Sequence, residues 1–167
     1  MFQLKRISGE AIPAALEKAT RYRLLNEPIP AESICLDVLE LEPDNQEALV
    51  TLFLSLTDQI DHHLSERVRR AKEVLGRMED EYSRLYFEGI LYERQGKLHL
   101  RRGGPGSGHI AYDFLRHAME LYDRAEKLSP SDNDDAVLRW NTCARIIMHY
   151  AELEPEPISP VRPVLLE

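Results

Sequence analysis

Residues 118–130, AMELYDRAEKLSP, carry the pattern that decides the fold. Ala118, Tyr122 and Ala125 stand at offsets of four and seven, which places their side chains on one stripe of a helix. Leu128 and Pro130 close the stretch. The same order recurs in residues 31–43, AESICLDVLELEP, where the matching positions are Ala31, Cys35, Val38, Leu41 and Pro43. The small Ala lets a neighbouring helix approach, the larger residue fills the space beside it, and Pro stops the helix because it lacks an N–H and clashes with the preceding turn. An acidic, cap-forming run follows each Pro, Asp44-Asn45-Gln46-Glu47 and Ser131-Asp132-Asn133-Asp134, and is suited to opening another helix. Each stretch therefore reads as the second helix of a helical hairpin, punctuated so that a further hairpin can begin.

Working outward from these stretches, apolar residues keep helical spacing in the segments before them. Ile12, Ala15, Leu16, Ala19, Tyr22 and Leu25 predict a helix from Ala11 to about Leu25. Asn26–Pro30 reads as its turn. Asp44, with Glu47 reaching back as in a capping box, opens a helix carrying Leu49, Leu52, Phe53 and Leu56. Its partner carries Leu64, Val68, Ala71 and Leu75. Leu85, Gly89, Tyr92 and Gly96 start a third hairpin, and a last amphipathic helix within 132–153 carries Val137, Trp140, Cys143, Ala144, Ile147 and Tyr150. The two matched Ala are 87 positions apart, which is about two 34-residue periods plus about 19. Most of the excess falls between Gly96 and Ala118, where Lys97–Arg102 continues polar and helical in character past the turn position, GGPGSG interrupts the chain, and a helix restarts at His109 and runs to Leu128.

The Ala and Pro pattern resembles the second half of the tetratricopeptide repeat, a helix–turn–helix unit of about 34 residues. Ala19 followed by Tyr22, and Gly89 followed by Tyr92 and Gly96, resemble its first half. The middle hairpin departs, with Phe53 and Leu64 where the family has small residues and Gly76 where it has Pro. The resemblance implies an all-α, right-handed stack of about three hairpins, near residues 11–43, 45–77 and 82–130, with an insertion near 97–112. A capping helix at 132–153 ends it, and 154–167 is an extended, Pro-rich tail. Such stacks bind protein segments in a concave groove lined by the first helix of each hairpin. By that resemblance the groove residues are Leu16, Thr20, Arg23, Val50, Leu54, Tyr86, Ile90, Glu93, Val137 and Asn141. The Lys and Asn that family members use to clamp a carboxylate are mostly missing from these positions.

Composition narrows the function classes. Hydrophobic residues are 43% and charged residues 30% of the chain, as in a soluble, folded domain. A net charge of −8 argues against a general nucleic-acid binder, which needs an excess of Lys and Arg. There is no apolar run of the ~18 residues a membrane span takes, nor one suited to a signal peptide, so a cytoplasmic protein with no membrane partner is expected. Cys35 and Cys143 sit among apolar neighbours and read as buried thiols.

No local catalytic motif is present, so no enzymatic activity, cofactor or metal is expected. His109, Asp113 and His117 share a helix face but span about 12 Å, too far to converge on one ion. Asp58, His62 and Glu66 repeat that spacing in a polar turn. GGPGSGH lacks the Lys and preceding strand of a phosphate loop, although Arg101 and Arg102 stand beside it. Arg67, Arg69, Arg70 and Lys72, flanked by acids, read as a solvated helix face. The expected function is a protein-interaction module or scaffold. Two alternatives stand beside it: a small-molecule, anion or metal site at the Gly-rich insertion, and a homodimer through the groove or the insertion. The segment Ile158–Leu166 is a further candidate occupant of the groove.

Overall fold

A computed structural model describes residues 2–156, and the Ile158–Leu166 segment lies outside them. Seven α-helices follow a single 3₁₀ turn at Gly9–Ala11: α1 (Ile12–Leu24), α2 (Pro28–Leu41), α3 (Gln46–Asp58), α4 (Leu64–Leu75), α5 (Glu81–Arg102), α6 (Ser107–Glu126) and α7 (Asp135–His149). There is no strand among the described residues. The all-α expectation from periodicity therefore holds. The substantial helix contacts join elements one or two apart in sequence, each helix lying on its neighbours and α1 also reaching α3.

Both matched stretches are the interior of this packing. Ala31, Cys35 and Val38 on α2, and Ala118, Tyr122 and Ala125 on α6, are all fully buried. Leu41 and Leu128 are exposed. Ten residues from Ala31, the Leu41 side chain is about 80° off the stripe at 3.6 residues per turn, and Leu128 lies beyond the end of α6.

Helix boundaries differ from the sequence reading where backbone chemistry decides them. Asn45 caps α3, its side-chain oxygen accepting from the Ala48 N–H at 2.9 Å, so the cap falls one residue after the expected Asp44. Pro28 and Pro30 lie inside α2 rather than in the turn, because a first-turn Pro sacrifices no intrahelical hydrogen bond. The capping helix is shorter than its segment, ending at His149.

Gly96 stands where the family pattern has a turn, and the helical character of Lys97–Arg102 beyond it holds: α5 runs through Gly96 for 22 residues and α6 answers with 20. The insertion is thus a lengthening of both helices, joined by a tight connection in which Gly103, Gly104 and Gly106 all take positive φ. Gly96 is instead a contact point: a Cβ there would lie 3.0 Å from Leu115 Cγ and 3.1 Å from the Ala111 carbonyl oxygen. At Gly89 a Cβ would lie 2.5 Å from the Tyr122 ring. These two glycines let α5 and α6 close on each other along their whole length.

Three tertiary hydrogen bonds of the α2–α5 region join residues about one repeat apart: Arg67 binds Glu32, 35 positions earlier; Arg77 binds the Pro43 carbonyl, 34 earlier; the Glu79 N–H binds Gln46, 33 earlier. Others span from 27 positions, Gln59 to Glu32, through 40, Arg94 to Leu54, to 46, Arg139 to Glu93.

Candidate functional site

The C-terminal halves of α3 and α5, together with α7, enclose a cleft of about 520 Å³. Its chemistry starts from two carboxylates. Asp58, in the last turn of α3, forms ion pairs with Arg23 Nε of α1 and Arg94 Nη2 of α5, each 2.7 Å away. The same Arg94 donates to the Leu54 carbonyl at 3.1 Å and to the Thr57 hydroxyl. Glu93, whose side chain is 0% exposed, accepts from the Tyr122 hydroxyl at 2.7 Å, from Lys97 one turn on, and from Arg139 of α7 at 3.3 Å. A buried carboxylate costs several kcal/mol unless it is paired and hydrogen-bonded, and here both oxygens are.

Burial lowers the Arg94 pKa, and the positive charges of Arg23 and Arg139 push the same way against Asp58. Burial works against the charge of Arg139 too, but Glu93 and hydrogen bonding to Tyr86 outweigh it and raise its pKa. Burial and the adjacent Glu93 hold the Tyr122 phenol well above its ordinary value, so it serves Glu93 as a donor. At the rim, Arg101 Nη2 lies 3.0 Å from both carboxylate oxygens of Asp61, and Arg102 binds the Asp61 carbonyl at 3.0 Å. Ile60, Leu100, Ile146 and Tyr150 supply an apolar wall.

The residues expected in the groove divide by depth. Leu16, Ile90 and Glu93 are buried; Arg23, Val50, Leu54, Tyr86, Val137 and Asn141 are half-buried; Thr20 is exposed. Arg23 and Glu93 belong to the ion pairs that tie α1, α3, α5 and α7 together. Sequence reasoning missed Arg94, Lys97 and Arg139. Part of the signal was available: Arg94, Lys97 and Arg101 at offsets of three and seven form one helical stripe.

The other candidates are placed elsewhere. His109 Nδ1 is 2.8 Å from the Glu154 carbonyl, whereas Asp113 and His117 border a separate hollow with Tyr92, Ile110 and Phe114. Asp58 is held by the two arginines. No three His, Cys, Asp or Glu side chains converge among the described residues. The Gly-rich connection is faced by Glu152 and Glu154; Arg101 and Arg102 turn away from it to Asp61. In the basic run, Arg67 and Arg70 each bind Glu32 at 2.7 Å with their side chains 17% and 25% exposed, so this pair joins α4 to α2 instead of forming a solvated face. Cys35 and Cys143 are buried thiols that burial pushes up to about 12. No helix among the described residues is long and apolar enough to cross a membrane.

Comparison of the chain with protein-family models, with curated proteins and with solved structures finds no match.

Proposed function

We propose that this chain is a protein-interaction module: a stack of tetratricopeptide-like hairpins whose odd-numbered helices present a groove to an extended segment of a partner protein. The repeat reading is supported by the three tertiary hydrogen bonds that join residues 33 to 35 positions apart, close to the period of about 34 residues of that repeat. The observation that carries the functional reading is how one surface is assembled. Leu54 of α3, Tyr86 of α5, and Val137 and Asn141 of α7 keep accessible surface, while Arg94 and Arg139 lock those same helices to one another beneath it. Side chains presented by two hairpins and the last helix, with those helices tied to one another, bind a partner without first having to be ordered. The mixture of half-buried apolar side chains and polar groups suits an extended segment that sets side chains in pockets.

A displayed peptide library selected on the whole chain tests this directly. Enriched sequences are expected to share a spacing of apolar residues and to lose binding to Leu54→Glu and Asn141→Arg variants whose circular dichroism is unchanged. Selection that enriches nothing, or peptides that bind both variants as well as the parent, would refute the groove.

A further inference from the structure

The ion pairs beside the cleft do not balance. Asp58 is shared by two cations, Arg23 and Arg94, and Glu93 by two more, Lys97 and Arg139. The Asp61–Arg101 pair is neutral. On the lining itself four cations, Arg94, Lys97, Arg101 and Arg139, meet three carboxylates, and Arg23, paired with Asp58 from outside the lining, brings the local excess to two positive charges in a chain whose net charge is −8. Surface composition does not account for this, because the side chains are partly withdrawn from solvent: Arg94 is 18%, Arg139 35% and Lys97 37% exposed. The lowered pKa of Arg94, to which the charges of Arg23 and Arg139 contribute, reflects the same crowding. The C-terminal ends of α1 and α3 offset part of the excess with their carbonyl dipoles. The uncompensated charge is thus concentrated on Lys97 and Arg139, which share one carboxylate, while Arg101 stands beside them at the rim in its exposed pair with Asp61.

These groups line one cleft together with the apolar side chains of Leu100, Ile146 and Tyr150. A monocarboxylate would leave one charge unmatched. A dianion matches both, and guanidinium groups bind tetrahedral oxyanions through several parallel N–H donors. The volume of about 520 Å³ is that of a small-molecule site. We propose that this cleft binds a small organic phosphate, its phosphate group held by Lys97, Arg101 and Arg139 and its apolar or aromatic body laid against Leu100, Ile146 and Tyr150. The site goes beyond the partner groove and does not depend on it: the Glu93 and Asp58 pairs that build it hold whether or not a segment docks on Leu54 and Asn141.

Isothermal titration of the full chain with three probes tests the proposal. Phenyl phosphate has both the dianion and the ring, inorganic phosphate only the dianion, and benzoate the ring with a single charge. Phenyl phosphate is expected to bind saturably at one site and more tightly than either other probe. The exposed rim pair then allows opposite changes without touching the buried network. Arg101→Gln is expected to weaken phenyl phosphate about tenfold, and Asp61→Asn to tighten it about tenfold, the scale of one unit charge acting on a dianion at about 10 Å with an effective dielectric constant of about 40 at this exposed rim. No saturable binding of phenyl phosphate, an equal effect of sodium chloride at matched ionic strength, or two variants that move affinity the same way would overturn the site. Inorganic phosphate binding as tightly as phenyl phosphate would overturn the role of the apolar wall. Because every probe is a small molecule, these outcomes stand apart from success or failure of the peptide selection.

Discussion

Replacing Tyr122 by Phe removes one oxygen from the centre of the molecule and nothing else. That hydroxyl donates at 2.7 Å to Glu93 Oε2, an oxygen whose next donor, Arg139, is 3.5 Å away. Both residues are fully buried, so water cannot replace the lost donor. A hydrogen bond to a charged group contributes about 1.5–3 kcal/mol, and that is the expected loss of unfolding free energy in urea. For a chain of this size the melting temperature should fall by about 3–12 °C, from roughly 2–4 °C per kcal/mol. A double-mutant cycle with Glu93→Gln isolates the charge. Against the neutral amide the same Tyr122→Phe change should cost only about 0.5–1.5 kcal/mol, leaving a coupling of roughly 1 kcal/mol between the two sites. If Tyr122→Phe cost under about 0.5 kcal/mol, or cost the same in both backgrounds, the hydroxyl would not be serving a buried carboxylate. The account of the cleft floor would then fail.

Glycine substitutions give a paired test of the α5–α6 contact. Gly89→Ala sets a Cβ 2.5 Å from the Tyr122 ring and should cost about 1–3 kcal/mol by overpacking. Gly76→Ala meets nothing closer than 3.5 Å in a right-handed helical conformation and should be neutral or stabilising by under about 1 kcal/mol; equal effects in chemical denaturation would contradict the close approach. Asp80 caps α5 by accepting from the Ser83 N–H at 2.8 Å, so Asp80→Ala should lose about 1 kcal/mol, with Asp80→Asn retaining most of it. For Glu32, burial alone would raise the pKa, but hydrogen bonds from Arg67, Gln59 and Arg70 bring it below its ordinary value. With the folded value lowered, the stabilisation is complete above the unfolded value of about 4.3 and is lost as pH falls through the folded one. Glu32→Gln should therefore melt lower than the parent at neutral pH, with the gap closing below about pH 4; a gap that is constant or widens in acid would reverse the assignment.

The sequence made the helices legible because a buried stripe repeats every three to four residues, and the two stretches ending in Pro43 and Pro130 showed where hairpins end. Gly96 was not legible. In sequence it is equally a helix stop and a helix contact, and only the approach of Ala111, Phe114 and Leu115 on another helix makes it the second. Depth was not legible either: the repeat resemblance sets Glu93 on an open groove face, whereas its carboxylate is buried by partners 29 and 46 positions away. No local spacing announces such partners. Arg67 and Arg70 misled for the same reason, because their acid lies on α2.

Long-range ion pairs fix the faces of helices that are not neighbours in sequence. Helices that pack chiefly on their sequence neighbours need something to fix how far each slides along the next, since apolar contacts tolerate a shift of one turn better than ion pairs do. Arg23–Asp58 and Asp58–Arg94 set α1, α3 and α5 in register, and Glu93–Arg139 sets α7. Sliding any of them by a turn, about 5.4 Å, would strand a carboxylate away from its cations, and an unpaired buried charge costs about 3–5 kcal/mol. The residues that hold the register are the ones that leave the cleft with surplus positive charge. Two carboxylates bridging three helix junctions must each be shared, and sharing leaves cations in excess.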